Sequence, residues 1–131
     1  MPQVTSLDHL GLTVGDIART VAFDEDALGM RAERFTPADG STRVALLFGT
    51  QKINLHETGK EFDPKAAQVQ PGSADLCFLS DGPLEGWVSH LAAMGVPLED
   101  GPVQRTGATG PILSIYIRDP DGNLIEISNQ L

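Results

Sequence analysis

A single cysteine, Cys77, stands in this 131-residue chain, so no internal disulfide can form. It lies in the apolar run LCFL and is expected to be a small core residue, with a reactive thiol as the alternative. Positive charge is scarce: nine Lys and Arg face 18 Asp and Glu, for a formal charge of −9. That balance repels nucleic-acid phosphates and anionic membrane surfaces and leaves a small molecule or a protein as the expected partner, with a small-molecule substrate favoured. No apolar run approaches the roughly 20 residues that cross a bilayer. The start, MPQVTSLDHL, has no basic region followed by an apolar stretch. We therefore expect a soluble, cytoplasmic protein that contacts neither nucleic acid nor membrane. Its length and 40% hydrophobic content suit a single domain over 1–131 with a proper core.

What is present is an internal echo. LDHLGLTV, residues 7–14, resembles ADLCFLSD, residues 74–81, and a helical pattern follows each. The first helix is expected to start near Asp16, an N-cap residue, and to stop at Gly29; the second runs from near Pro83 to Gly95. Matching LGM (28–30) to MGV (94–96) sets a spacing of 66 residues and places His9 opposite Asp75. The final strands, KINLH and LIEIS, put Asn54 opposite Glu126 and His56 opposite Ser128. Each half thus reads β-α-β-β-β, with GTQK and DPDGN turning the last hairpins. The predicted class is α+β, with module one at 5–57, a connecting loop at 58–73 and module two at 74–129. The polar, Gly- and Pro-containing connection is long enough to serve as a lid or partner contact. Two such modules about a pseudo-twofold axis would bring His9, Asp75, Asn54 and Glu126 together at the centre.

Three histidines are available. His9 shares a strand face with Gly11 and Thr13, and is either a ligand or a hydrogen-bonded interior ring. Glu126 sits between isoleucines, where a carboxylate needs a cation or donors; Arg105 and Arg118 are the alternative partners to a metal. His9, His56 and Glu126 together offer two imidazoles and a carboxylate, a set suited to one divalent transition metal with open positions. Asp75 is a fourth ligand or an acceptor that orients a histidine. Asn54 is a poor ligand suited to hydrogen-bonding a substrate. His90 falls near the end of the second helix and is expected on the surface. Asp24, Glu25 and Asp26 read as a solvated helix face. DPDGN lacks the distal glutamate of a calcium loop and reads as a tight turn. The segment 101–111, GPVQRTGATGP, reads as a mobile loop whose Arg105 is either a surface residue or a contact for an anionic substrate.

Taken together, LDHLGLTVGDIARTVAFDEDALGM, KINLHE and DPDGNLIEIS resemble the vicinal oxygen chelate superfamily, which includes glyoxalase I, extradiol dioxygenases, fosfomycin-resistance proteins and bleomycin-binding proteins. The likeness spans nearly the whole chain and looks closest to lactoylglutathione lyase-like, glyoxalase-domain-containing proteins. It implies paired β-α-β-β-β modules whose mixed sheets form a cupped, partly closed site, often completed in a homodimer, with metal positions at His9, Asn54, Asp75 and Glu126. His9 and Glu126 match the usual His and Glu. Asn54 stands where glyoxalase I has a carboxylate or amide, Asp75 where most metal-binding relatives have histidine, and Asp24 where relatives commonly have tyrosine. His56, two residues beyond Asn54 on the same face and about 7 Å away, offers a replacement ligand.

The resemblance implies a divalent ion (Zn, Ni, Co, Mn or Fe) chelated by two adjacent substrate oxygens. The leading expectation is a lyase or isomerase of the lactoylglutathione lyase type, with Glu126 or Asp75 moving a proton and His9 and His56 holding the metal. An iron(II) dioxygenase is the second possibility, and a metal-free protein that sequesters a small ligand is the third. Lys65, Arg105 and Arg118 are the cations available to an anionic substrate.

Overall fold

The computed structural model describes all residues, 1–131, and the chain divides into two compact units, Met1–Pro71 and Gly72–Leu131. In the first, the order is β1 (His9–Val14), α1 (Ile17–Asp26), β2 (Arg31–Phe35), β3 (Arg43–Phe48) and β4 (Gln51–Glu57). The strands form one sheet in the order β1-β4-β3-β2, with β1 parallel to β4 and the remaining pairs antiparallel. Asp16 caps α1 by accepting the Arg19 N–H at 3.0 Å, and the chain leaves the helix through Gly29 at φ +71°. Alternation along the strands separates two faces. Leu12, Val14, Val44, Leu46, Ile53 and Leu55 are buried, and α1 packs on β2, β3 and β4.

The second unit repeats the plan: β5 (Asp75–Leu79), α2 (Leu84–Ala93), β6 (Asp100–Thr106), β7 (Pro111–Arg118) and β8 (Leu124–Gln130), in the order β5-β8-β7-β6. Its core holds Ile115, Ile117, Ile125 and Ile127 beneath Leu84 and Leu91 of α2. Pro83 at the head of α2 offers no side-chain cap, and Asn129 of β8 supplies it by accepting the Leu84 N–H at 3.0 Å. Gly95 ends α2 at φ +73°, 66 positions after Gly29, so the sequence repeat is a structural one.

The DPDGN segment is a self-satisfied turn. Asp119 accepts the N–H groups of Asp121 and Asn123 and the Asn123 side-chain amide, while Asn123 Oδ1 accepts the Ala74 N–H at 2.9 Å at the entry to β5.

Three expectations need correction. Asp24 is buried at 6% exposure, so the acidic run is not a uniformly solvated face; a ten-residue helix on a sheet turns one of three successive positions inward. Cys77 is not a core residue: strand alternation sends Leu76 and Phe78 toward the buried face and Cys77 to the opposite, exposed one. The segment 101–111 is mostly strand, since Val103–Thr106 pair with Pro111–Ser114 of β7 and only the tip around Gly107–Gly110 turns. No helix is long and apolar enough to cross a membrane.

Asn123 is fully buried and bonded both to Asp119 and to the start of β5. Replacing it with alanine leaves buried partners unpaired and is expected to cost about 1–3 kcal/mol in urea unfolding. Ile115→Ala, which opens a core cavity, is expected to cost about 2–5 kcal/mol.

Candidate functional site

The face of each sheet opposite its apolar core carries the candidate side chains. In the first unit, β1 presents His9, Gly11 and Thr13, and β4 presents Lys52, Asn54 and His56. The parallel register pairs His9 with Lys52, Gly11 with Asn54 and Thr13 with His56. His56 therefore lies four positions beyond the residue opposite His9, roughly 13 Å along the strand. The ring nevertheless approaches Gly11, two positions nearer His9. A Cβ placed on Gly11 would sit 3.6 Å from His56 Nε2 and 3.8 Å from Cδ2, so the imidazole leans across the bare backbone toward the His9 end. His9, Asn54 and His56 line one cavity of about 420 Å³, together with Glu61, Pro64, Lys65 and Val69. The connecting segment therefore forms a wall of this cavity.

The two rings are prepared differently. His9 is half-exposed, and its Nδ1 lies 2.8 Å from the Asp8 carboxylate. With Nδ1–H donated to Asp8, a neutral ring keeps the lone pair on Nε2, as a carboxylate-oriented metal ligand requires. The hydrogen bond from His9 is the largest of the causes that hold the Asp8 carboxyl below its ordinary range. His56 is partly buried; desolvation first, and the Arg43 charge second, lower its pKa below 6.5, with Glu61 opposing them. Its Nδ1 is buried without a hydrogen-bond partner, as is Asn54 Oδ1. The Phe62 ring stands 5.9 Å from the His56 ring, and the Arg43 guanidinium lies 4.0 Å from the Phe62 centroid. Arg43 is in turn tied to Asp39 at 2.8 Å and to Ser41 at 3.2 Å.

In the second unit the corresponding face carries Asp75, Cys77 and Leu79 on β5 and Glu126 and Ser128 on β8, with Cys77 opposite Glu126 and Leu79 opposite Ser128. Neither candidate arginine pairs with Glu126. Arg118 binds both oxygens of Glu99 at 3.0 and 2.7 Å, and Arg105 donates to the Tyr116 hydroxyl at 3.0 Å. Glu126 instead accepts a long 3.5 Å bond from Ser128, whose hydroxyl also meets Ser114 at 2.7 Å and Cys77 Sγ at 3.3 Å. Burial raises the Cys77 pKa; the Ser128 bond opposes this, and Glu126 and Asp75 add to it, so the thiol form is favoured over a nucleophilic thiolate. Asp75 is exposed at the start of β5. His90 is exposed in the last turn of α2, its ring edge-on to Trp87 at 6.1 Å.

The sequence reading missed Phe62, Arg43, Ser114 and Tyr116 as neighbours of these groups. Within neither unit do three His, Cys, Asp or Glu side chains gather as a metal shell.

Residues 6–127 match the model of the Glyoxalase/Bleomycin resistance protein/Dioxygenase superfamily. Virulence protein STM3117 of Salmonella typhimurium is 54% identical over 125 residues, covering 95% of this chain and 84% of its own. Glyoxalase domain-containing protein RDO1 of Mycosarcoma maydis is 53% identical over 126 residues, covering 96% and 69%. Integron cassette protein VCH_CASS1, from the mobile metagenome of V. Cholerae, superposes with a TM-score of 0.92 at 53% identity over 98% of each chain. More remote structures share the fold. They include a lactoylglutathione lyase from Agrobacterium tumefaciens (TM-score 0.69, 23% identity, 97% and 95% coverage) and the Streptomyces antibiotic binding protein TnmS3 (0.76, 18%, 100% of each). A Listeria monocytogenes fosfomycin resistance protein complexed with Mn(II) is another (0.66, 21%, 98% and 93%).

The lowered His56 pKa has a definite sign in stability. Below the ordinary value of 6.5 the unfolded chain takes up the proton more readily than the folded one. His56 therefore contributes stability that is present above pH 6.5 and is lost as pH falls through its folded midpoint. NMR titration of the ring should give a midpoint below 6.5, and His56→Gln should flatten the acid-side decline of the urea midpoint. A ring midpoint at or above 6.5 contradicts this.

Proposed function

Because the chain belongs to the Glyoxalase/Bleomycin resistance protein/Dioxygenase superfamily, we propose that it is a divalent-metal-dependent lyase or isomerase of the glyoxalase I type. Its substrate is a small molecule with two adjacent oxygens. His9 and His56 are the nitrogen ligands, and Glu126, from the same chain or from a second copy, is the carboxylate donor. The observation that carries this reading is the His56 ring laid over Gly11 in the cavity it shares with His9. A half-buried imidazole with a lowered pKa is neutral at pH 7 and has a lone pair to give. Such a donor set accepts Zn, Ni, Co, Mn or Fe.

When bound, the ion polarises the chelating oxygens and stabilises the negative charge that develops on them. The protein groups do the rest. Asp8 fixes the orientation of the His9 ring. Asn54 Oδ1, buried and without a partner, accepts a hydroxyl from the substrate rather than serving as a ligand. A carboxylate moves the proton between adjacent carbons; Glu126, held by Ser128, is the first choice and Asp75 the second. Lys65 is the cation that lines the first unit's cavity.

A second reading, a metal-free binding protein, is supported by the cavity of the second unit, where Leu79, Ile112 and Tyr116 offer apolar surface. Two measurements separate the readings. Titration of EDTA-treated protein with Zn, Ni, Co and Mn should show a single site that His9→Ala and His56→Ala each weaken at least tenfold. Glu126→Gln should abolish turnover of an α-oxoaldehyde thiohemiacetal. Absence of a metal site, with ligand binding intact in the His9→Ala and Glu126→Gln variants, establishes the binding protein instead. Oxygen consumption that requires iron replaces the lyase with a dioxygenase.

A further inference from the structure

The second unit holds a cavity of about 460 Å³ whose lining combines apolar side chains with two opposite charges, Arg105 and Glu126. Leu79, Ile112 and the Tyr116 ring supply the apolar surface. Leu79 is 60% exposed, while the core leucines of the same unit, Leu84 and Leu91, are 3% and 0% exposed. Covering such a side chain with an apolar ligand recovers part of the roughly 1.5–3 kcal/mol that full burial is worth.

Arg105 lines the cavity. Its Nε donates to the Tyr116 hydroxyl at 3.0 Å, its Nη1 donates to the Gln104 carbonyl at 3.3 Å, and its guanidinium lies 5.5 Å from the Tyr116 ring. Asp100 approaches Nη2 only to 3.6 Å. These contacts hold the guanidinium in place and leave donors of its five N–H groups unfilled, a geometry ready for a carboxylate. Glu126 also lines the cavity. It lies opposite Tyr116 in the β7–β8 register, and the Arg105 side chain, from a backbone position opposite Ile112, reaches the hydroxyl of that same Tyr116. With Asp100 and Glu126 both on hand, the cation suits one further anionic group, and a second negative charge on a ligand would meet these carboxylates.

We propose that this cavity binds a small monocarboxylate with an aromatic or branched apolar body. Arg105 pairs with the carboxylate, Leu79 and Ile112 receive the body, and a neutral oxygen-bearing end is directed toward Glu126. The proposal names a substrate class for the reading given above, and rests on that reading only for the direction of the neutral end. Binding of the apolar anion itself needs no metal. An outcome here is therefore independent of the metal titration.

The test is calorimetric titration of the full chain after EDTA treatment, with 4-phenylbutyrate and its uncharged amide as probes. The acid should bind at least tenfold tighter than the amide, and the preference should shrink as salt is raised. Arg105→Gln should bring the two affinities together, with Arg105→Lys keeping part of the preference. NMR shifts should map to Leu79 and Ile112. Equal affinity for acid and amide in the unaltered protein overturns the proposal without recourse to any variant. So does a preference that survives Arg105→Gln, or shifts confined to another surface.

Discussion

In each unit the first strand lies parallel to the last, and this pairing determines which polar side chains can meet. The register sets Gly11 beside Asn54 in the first unit and Cys77 beside Glu126 in the second. Because side chains alternate across a strand, a slip of one residue would send His9, Asn54 and His56 into the apolar face and bring Leu12, Ile53 and Leu55 out. The register is therefore held by core burial, and the positions of the polar groups follow from it. The buried isoleucines of β7 and β8 do the same for Glu126 and Ser128.

Upon that frame, a few local choices give the first unit its chemistry. The His56 ring lies in contact range of the Gly11 position, on the side of its strand nearer His9. Phe62 borders the ring, Arg43 stacks on Phe62, and Asp39 and Ser41 hold Arg43. The Ser41 hydroxyl and backbone, followed by Arg43, lower the Asp39 pKa to about 2, so its carboxylate stays charged through the physiological range. The same Arg43 charge disfavours protonation of His56. A surface ion pair, itself worth little to stability, thus helps to keep a neutral imidazole in the cavity.

Much of the fold was legible in the sequence because it is written twice. Asp16, Gly29 and Gly95 marked helix ends, and the DPDGN turn and the 66-residue spacing are where the pattern placed them. The alternation of KINLH put Asn54 and His56 on one face of their strand, and the isoleucines flanking Glu126 in LIEIS marked it as an unusual carboxylate. What the pattern could not supply was contact across distance. Nothing local distinguishes Asp24 from Glu25 and Asp26, since its burial depends on which side of α1 meets the sheet. Cys77 was misplaced because a short apolar run does not state which of its alternating positions faces inward. The partners of Arg105 and Arg118, namely Tyr116 and Glu99, come from other strands and loops and carry no sequence signal of their own.

The account turns on His56 taking the place of the poorly suited Asn54 beside His9. Cobalt(II)-loaded protein, observed by paramagnetic NMR, addresses this directly. The account predicts strongly shifted ring resonances from both His9 and His56, with each alanine variant removing its own set. A bound cobalt ion that leaves the His56 ring resonances unshifted would contradict it.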